Sequence, residues 1–383
     1  MRPIAFKDLD IAPTRVSVVA VEPQEQHELT FGFSRDIEVS SSQVANVLST
    51  FTGSAFDRLE FDFPVSPDVM ASIQRMVQCE VVSAGEEEGP HGGERSGHLL
   101  SFSGGFDSMA ARVLMPSGTK LVSLDFGGRF GREREFFQRF DALVVTSNIV
   151  GTPYRRNSWS FMGMGCILAA EQFRAKYHTF GSILEASPDN FRLNPVAASG
   201  RTYTPFAAAG YVNAPYVLGL SEIGTLRVLL QEAPELVPDS LVSLASPGEE
   251  KLHRKKVLVE TVAADLGVCI SLPDVLAPKV PHFTFGANFA VDVLALYVAV
   301  RRGKAVADTL VRDMPDEAVE HVDRVGMDFM EKANPTMYAH FPGELFPALS
   351  ARLAEFGIGW YTESDWCQLD VVRKLLSVDR VRV

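Results

Sequence analysis

The sequence has few cysteines, and none of them lies close to another. Cys79, Cys166, Cys269 and Cys367 are the only four in 383 residues, and they form no CxxC pair. This spacing disfavours a disulfide-bonded secreted scaffold, and it lacks the close ligands that a four-coordinate zinc ion needs. We therefore expect free, mostly buried thiols in a reducing cytoplasm and no structural zinc.

Long apolar runs and an excess of basic residues are also missing. The apolar segments 161–170 and 293–300 end at charged residues and are too short to span a bilayer, and the N-terminus lacks the apolar core of a secretory signal. Lys and Arg number 36 against 48 Asp and Glu, which gives a net charge of −12. A broad nucleic-acid-binding surface needs clustered Lys and Arg. We expect a cytoplasmic protein with neither a membrane nor a nucleic acid as its partner.

What is present predicts several structural regions. Residues 1–84 contain β-branched and aromatic runs, with strict alternation at 58–63, and so indicate a β-rich N-terminal module. Gly and Glu dominate residues 85–98, which we interpret as a linker. Strand and helix patterns alternate in 99–286, whereas 287–383 has mainly helical periodicity. The module is expected to recognise a protein or peptide partner; the alternative is a lid or scaffold packed on the catalytic domain.

The β-α-β-α order of residues 99–286 predicts the fold class. Such an order implies an α/β domain with a parallel sheet and helices on both faces. Ligands of these sheets bind at the carboxyl ends of the strands. Candidate site residues are therefore expected at those ends.

One loop has the composition of a phosphate-binding turn. It follows an apolar strand-like run and precedes a helix-forming run, and it consists of Ser103, Gly104, Gly105, Phe106, Asp107 and Ser108. Paired glycines let the backbone approach an anion, and the following helix start directs N–H groups at it. Asp107 can cap the helix or hold Mg²⁺ on the phosphates. The alternative is a tight strand-to-helix turn with a serine cap.

This string resembles the signature of the PP-loop superfamily, the N-type ATP pyrophosphatases, and within it the 7-cyano-7-deazaguanine synthases. The resemblance extends from Leu99 to Gly267. It implies an adenine nucleotide alpha hydrolase-like fold that binds ATP and Mg²⁺. Asp107 would then be both a catalytic residue and the metal ligand.

A second match follows the next predicted strand. In the synthases such a strand ends in Asp-Tyr-Gly-Gln-Arg; here Asp125, Phe126, Gly127 and Arg129 match, with Gly128 in place of the glutamine. The resemblance implies that this backbone approaches the adenine edge and that Arg129 pairs with a phosphate or a substrate carboxylate. The alternative is a glycine turn followed by solvated arginines.

Two weaker matches lie further along the chain. Arg156 and Asn157 precede a predicted helix over 158–176, as a Gly-Arg-Asn segment does in the family. Arg156 would face a bound anion, or Asn157 would simply cap the helix. Gly181 stands at the end of a strand, where its backbone can approach the nucleotide. Glu185 beyond it could bind Mg²⁺, select a substrate amine or cap a turn.

A basic run begins a predicted helix that ends at Gly267. In the family a lysine stands eleven residues before this glycine, and Lys256 occupies that position. It would neutralise the departing pyrophosphate; the alternative is a solvated face. The zinc-binding cysteine cluster that follows in the synthases is reduced here to Cys269.

These observations predict an ATP-dependent, ligase-like enzyme. It would adenylate a carboxylate or amide oxygen, release pyrophosphate and form a C–N bond with displacement of AMP. One alternative is a sulfur-transferring PP-loop enzyme. The other is a non-catalytic nucleotide sensor or subunit of a multi-protein defence or biosynthetic system.

Overall fold

The computed structural model describes residues 2–87, 94–128, 131–193 and 200–376. The chain forms two compact units, each built from separate stretches of sequence. The first comprises Met1–Ser103, Pro116–Phe180 and Thr202–Ala214; the second comprises Gly104–Met115, Gly181–Arg201 and Pro215–Val383.

Ten strands of the described chain form one sheet, and all of them belong to the first unit. They are β1 Pro3–Ala12, β2 Arg15–Val21, β3 Gln26–Phe33, β4 Arg58–Pro64, β5 Glu80–Gly85, β6 His98–Ser101, β7 Lys120–Asp125, β8 Ala142–Ser147, β9 Tyr177–Phe180 and β10 Val212–Asn213. Their order across the sheet is β10-β9-β6-β7-β8-β3-β2-β1-β4-β5. The β1–β2, β2–β3 and β3–β8 pairs are antiparallel, and the remaining neighbours are parallel. The prediction of an α/β chain with a largely parallel sheet is confirmed.

The N-terminal strands continue the parallel part of the sheet. Strand β3 pairs with β8 through the partners Phe31–Ser147 and Phe33–Val145, so the N–H and C=O groups along that side of β8 are bonded. The predicted boundaries therefore differ from those observed. Residues 1–84 share a sheet with strands of the predicted domain 99–286, and the second unit begins at Gly104.

The described ends of the predicted linker 85–98 are bound to the first unit. Gly85 is the last residue of β5. The carboxylate of Glu87 accepts a hydrogen bond from the N–H of Ser42 at 2.8 Å. Arg95 donates to the carbonyl of Ala170 at 3.0 Å. Residues 88–93 lie outside the described residues.

Fifteen α-helices complete the described structure. They are α1 Ser41–Thr50, α2 Pro67–Val77, α3 Phe106–Leu114, α4 Gly131–Phe137, α5 Met164–Leu168, α6 Ala170–Phe173, α7 Thr204–Ala208, α8 Glu222–Glu232, α9 Val237–Leu244, α10 Glu250–Leu266, α11 Phe289–Arg302, α12 Lys304–Ala307, α13 Asp316–Val325, α14 Phe346–Glu355 and α15 Glu363–Leu375. Helices α3 and α8–α15 belong to the second unit. None of the helices in the described chain is both long and apolar enough to cross a membrane.

The helix predicted over residues 158–176 is wrong as a continuous element. This stretch consists of a 3-10 turn followed by the short helices α5 and α6. A Cβ atom on Gly163 would lie 2.5 Å from Cζ of Phe206, and one on Gly165 would lie 2.9 Å from Cδ2 of Leu124. Glycine is therefore required here for close packing, and its low helix propensity disfavours a long regular helix.

Candidate functional site

The loop from β6 to α3 has the predicted order of strand, glycine turn and helix. Gly104 has φ of +75°, a left-handed conformation that favours glycine. Gly105 is extended, with φ −72° and ψ 163°, and it is the N-cap of α3. The carbonyl of Gly104 accepts a hydrogen bond from Oγ of Ser240 on α9 at 2.7 Å. This contact fixes the turn within the second unit.

Two further predicted residues meet at the start of α3. A Cβ atom on Gly181 would lie 3.3 Å from the backbone nitrogen of Ser108 and 3.4 Å from its Cα. The absence of a side chain at Gly181 therefore permits this close approach. Oγ of Ser108 donates to the carbonyl of Gly105 at 3.0 Å, which ties the first helical turn to the loop. Phe106, at the first position of α3, is buried.

Asp107 places a carboxylate in the first turn of α3. Its Oδ1 accepts a hydrogen bond from Oγ1 of Thr225, a residue of α8, at 3.3 Å. Burial raises the pKa of Asp107 to about 6; the positive charge of Lys255 opposes this shift, and the negative charge of Glu222 adds to it. Near neutral pH this carboxyl group can therefore gain or lose a proton.

An ion pair between α10 and α8 lies in the electrostatic field of Asp107. Lys255 is bonded to Oε1 of Glu222, and the two side chains are only 20% and 5% exposed. Burial disfavours the charge on Lys255, but the attraction of Glu222 and Asp107 outweighs it and raises the pKa. Lys255 is therefore held as an ammonium ion.

The carboxylate of Glu185 caps the start of α8. Both of its oxygens accept from the backbone N–H of Glu222, at 3.0 and 3.2 Å. Burial raises the pKa of Glu185 to about 8, helped by the negative charges of Glu222 and Asp107 and opposed by the backbone hydrogen bond. Of the three roles open to Glu185, capping is the one for which a contact is present. A metal or substrate role stays a prediction.

Glutamine in place of Glu185 is expected to reduce the loss of stability that the wild type suffers as the pH rises. The folded-state pKa of about 8 exceeds the ordinary value of 4.5. The stabilising contribution of Glu185 is therefore fully present below the ordinary pKa and is lost as the pH rises through the folded-state pKa. Gln keeps an oxygen for the N–H of Glu222 but cannot ionise. Melting temperatures measured from about pH 5 to about pH 9 should fall several degrees less in Glu185→Gln. Equal profiles in this variant and in the exposed control Glu235→Gln would contradict the expectation.

Lys255, and not the predicted Lys256, lies at this cluster. Nζ of Lys256 is 3.7 Å from Oε1 of Glu260, one turn further along α10. Consecutive helical residues point about 100° apart, so adjacent lysines cannot share one environment. Their spacing to buried residues does not distinguish the two lysines, because Lys255 stands three residues before the buried Leu258 and Lys256 three residues before the buried Val259.

The residues predicted to approach adenine belong to the first unit. Asp125 ends β7, and its Oδ1 accepts from the N–H of Gly127 at 2.8 Å, while Oδ2 pairs with Arg134 of α4. Gly127 is left-handed, with φ of +66°. The ring of Phe126 packs against that of Phe161 at a centroid distance of 5.8 Å. Asp125 thus stabilises the turn after β7; Arg129 lies outside the described residues.

Arg156 and Asn157 do not precede a long helix. Arg156 is exposed at the end of a 3-10 turn, Pro153–Arg156, and Asn157 is the C-cap of that turn. The next turn has Trp159 as its N-cap, so the alternative in which Asn157 caps a helix is wrong. The anion-facing role of Arg156 stays a prediction.

The predicted site residues are distributed over the two units. Gly104, Gly105, Asp107, Gly181 and Glu185 are neighbours in the second unit, joined by three residues that sequence reasoning missed: Glu222, Thr225 and Lys255. Ser103, Asp125, Phe126, Gly127, Arg156 and Asn157 belong to the first unit. Comparison with protein-family models, with curated proteins and with solved structures finds no match to this chain.

Proposed function

We propose that this chain is an ATP-consuming, ligase-like enzyme of the PP-loop kind, with an adenine nucleotide alpha hydrolase-like arrangement. One observation carries the proposal. The glycine turn at Gly104 leads into a helix whose first turn holds Asp107, in the field of the ammonium group of Lys255. A glycine turn, a helix start, a carboxylate and a buried cation are the components that a pyrophosphate group with its metal ion requires.

Each component has a separate role in this proposal. The N-terminus of α3 contributes the positive end of a helix dipole toward the phosphates. Lys255 contributes a full charge that is already ordered by Glu222, so little reorganisation accompanies the separation of pyrophosphate. Thr225 orients the carboxylate of Asp107 through its hydroxyl group. Positioning and electrostatics then supply most of the rate enhancement.

The donor chemistry at Asp107 fits Mg²⁺. Magnesium is bound in nucleotide sites by one or two carboxylates together with phosphate oxygens. Asp107 is a partly buried carboxylate whose pKa is raised by burial, although the positive charges of Lys255 and Lys251 act to lower it. Asp107 would therefore hold the ion on the phosphates, where it would neutralise their charge.

The proposed reaction has two steps. A substrate carboxylate or amide oxygen attacks the α-phosphorus of ATP, and the bond to the bridging oxygen breaks so that pyrophosphate leaves with the electron pair. An amine then attacks the activated carbon, AMP departs, and the amine nitrogen loses a proton. The products are an amide from a carboxylate substrate or an amidine from an amide substrate, with AMP and pyrophosphate.

Product identity tests this proposal. Incubation of the full chain with ATP, Mg²⁺ and a panel of carboxylates and amines should release AMP and pyrophosphate in equal amounts, as measured by anion-exchange chromatography. ADP and phosphate would indicate γ-phosphoryl transfer and overturn the proposal. AMP release that depends on sulfide instead of an amine would favour sulfur transfer. ATP binding without turnover would favour the sensor.

Valine in place of Gly105 provides a loop-specific control for the same assay. Because φ is −72° at this position, a side chain imposes no left-handed strain on the backbone. Loss of turnover with an unchanged melting temperature would therefore indicate that the new side chain occupies volume that the phosphates need. Full activity of this variant would contradict a phosphate site at the loop.

A further inference from the structure

A cleft of about 270 Å³ opens beside the Lys255–Glu222 pair, entirely within the second unit. Residues of α10 and α11 line it, together with Leu310. Lys251, Arg254, Lys255 and Leu258 line it at spacings of three, four and seven residues, so they share one face of α10. None of the roles expected from the sequence involves this face of α10.

The charged lining of the cleft is positive although the chain is strongly acidic. The lining contains three cations, Lys251, Arg254 and Lys255, and one carboxylate, Glu222, although Asp107 and Glu250 also attract these cations and the whole chain has a net charge of −12. Nη1 of Arg254 lies 3.7 Å from Oε2 of Glu250, whose oxygens also accept from the N–H of His282 at 2.8 and 3.0 Å. Glu250 is therefore held beside Arg254 by the backbone of His282, at the longer range of an ion pair.

Apolar side chains form the rest of the cleft. Val291 and Leu294 contribute the α11 wall, and Leu258 and Leu310 are nearly inaccessible to solvent. The guanidinium carbon of Arg254 lies 5.4 Å from the ring centroid of Phe283, which lines the same space. The cleft therefore combines a planar cation with an aliphatic pocket.

We propose that this cleft binds a small amphipathic carboxylate, with its charged end at Arg254 and Lys251 and its short aliphatic chain between Leu258 and Leu294. An Arg edge pairs with a carboxylate through two hydrogen bonds, and the aliphatic wall offers no partners for a polar body. The same chemistry belongs to a free short-chain acid and to the carboxy-terminal residue of a peptide. Whether the bound acid is also the acyl substrate rests on the proposed function.

Binding to the full chain, measured by isothermal titration calorimetry without ATP, tests the proposal. Hexanoate represents the free acid and N-acetyl-leucine the peptide terminus; at least one should bind with Kd of about 1 mM or tighter. Acetate lacks the chain and hexanol lacks the charge, so both should bind about tenfold more weakly. Whichever of the two acids binds more tightly identifies the source.

Matched variants locate the site. Arg254→Gln and, at the exposed Lys251, Lys251→Gln should each weaken binding of the tighter acid about tenfold. Arg302→Gln removes the same charge from an exposed position on α11 outside the cleft and should leave Kd unchanged. Failure of both acids to bind, or equal Kd values in all three variants, would overturn the proposal. Binding of an acid without AMP release would support this binding site and contradict the proposed function. AMP release without binding of either acid would support the proposed function and contradict this binding site.

Discussion

Asparagine in place of Asp107 is expected to lower ATP-dependent pyrophosphate release by about 100- to 1,000-fold. The variant loses the only ionisable group in the first turn of α3, and with it the proposed contact to the metal ion. Amide oxygens are poorer ligands for Mg²⁺ than carboxylates, and a neutral side chain does not balance the ion. Pyrophosphate can be followed with a coupled enzymatic assay at saturating ATP.

The fold of Asp107→Asn should survive, which separates this effect from misfolding. Asn retains an oxygen for Oγ1 of Thr225. Because the folded-state pKa of about 6 lies above the ordinary 3.8, ionisation of Asp107 costs stability above about pH 6, and a neutral replacement avoids that cost. The melting temperature near neutral pH should therefore not fall.

A matched acid on another helix supplies the control. Asp68 also lies in the first turn of its helix, α2, and it is exposed. Asp68→Asn should leave pyrophosphate release unchanged. Retained activity in Asp107→Asn, or an equal loss in both variants, would remove Asp107 from the mechanism.

Elements whose sequence signal is local could be predicted. The strict alternation predicted at residues 58–63 corresponds to β4, Arg58–Pro64, in which every second side chain is buried. Strand β1 was not recognised, because a register shift between Lys7 and Asp10 interrupts its alternation. Helix α1 was missed for another reason: its ten residues, including five Ser, Thr or Gln and one Asn, are all buried, so no apolar stripe marks it.

The residues of the candidate site likewise separate into those with a local sequence signal and those without one. The Gly104–Ser108 turn is contiguous, and its order of strand, glycine turn and helix could be predicted from the chain itself. Thr225 is 118 residues from Asp107, and its contact depends on the packing of α8 against α3. No local sequence pattern predicts a contact between residues so far apart along the chain. Within the basic run of α10, no local pattern selects Lys255 over Lys256, because each lysine stands three residues before a buried residue.

Methionine in place of Lys255 is expected to reduce the free energy of unfolding by about 3 kcal/mol, whereas Lys256→Met should cost about 0.5 kcal/mol or less. Removing Lys255 leaves Glu222, with a side chain only 5% exposed, as a buried negative charge beside Asp107 and Glu185. Lys256 is paired with Glu260, whose side chain is 41% exposed, so water can replace the lost contact. Urea unfolding of both variants measures the difference.

The loss of stability in Lys255→Met should also depend on pH. The folded-state pKa of Lys255 is raised above its ordinary 10.5, so its contribution is complete below that value and is lost only as the pH rises through the folded pKa. The cost of Lys255→Met should therefore be nearly constant only above about pH 9, where Asp107 and Glu185 are both largely ionised. Below about pH 6 the cost should shrink, because protonation of these carboxyl groups removes part of the negative charge that Lys255 balances. Equal costs for the two lysines, or a cost that does not decrease in acid, would show that Lys255 does not neutralise this carboxylate cluster.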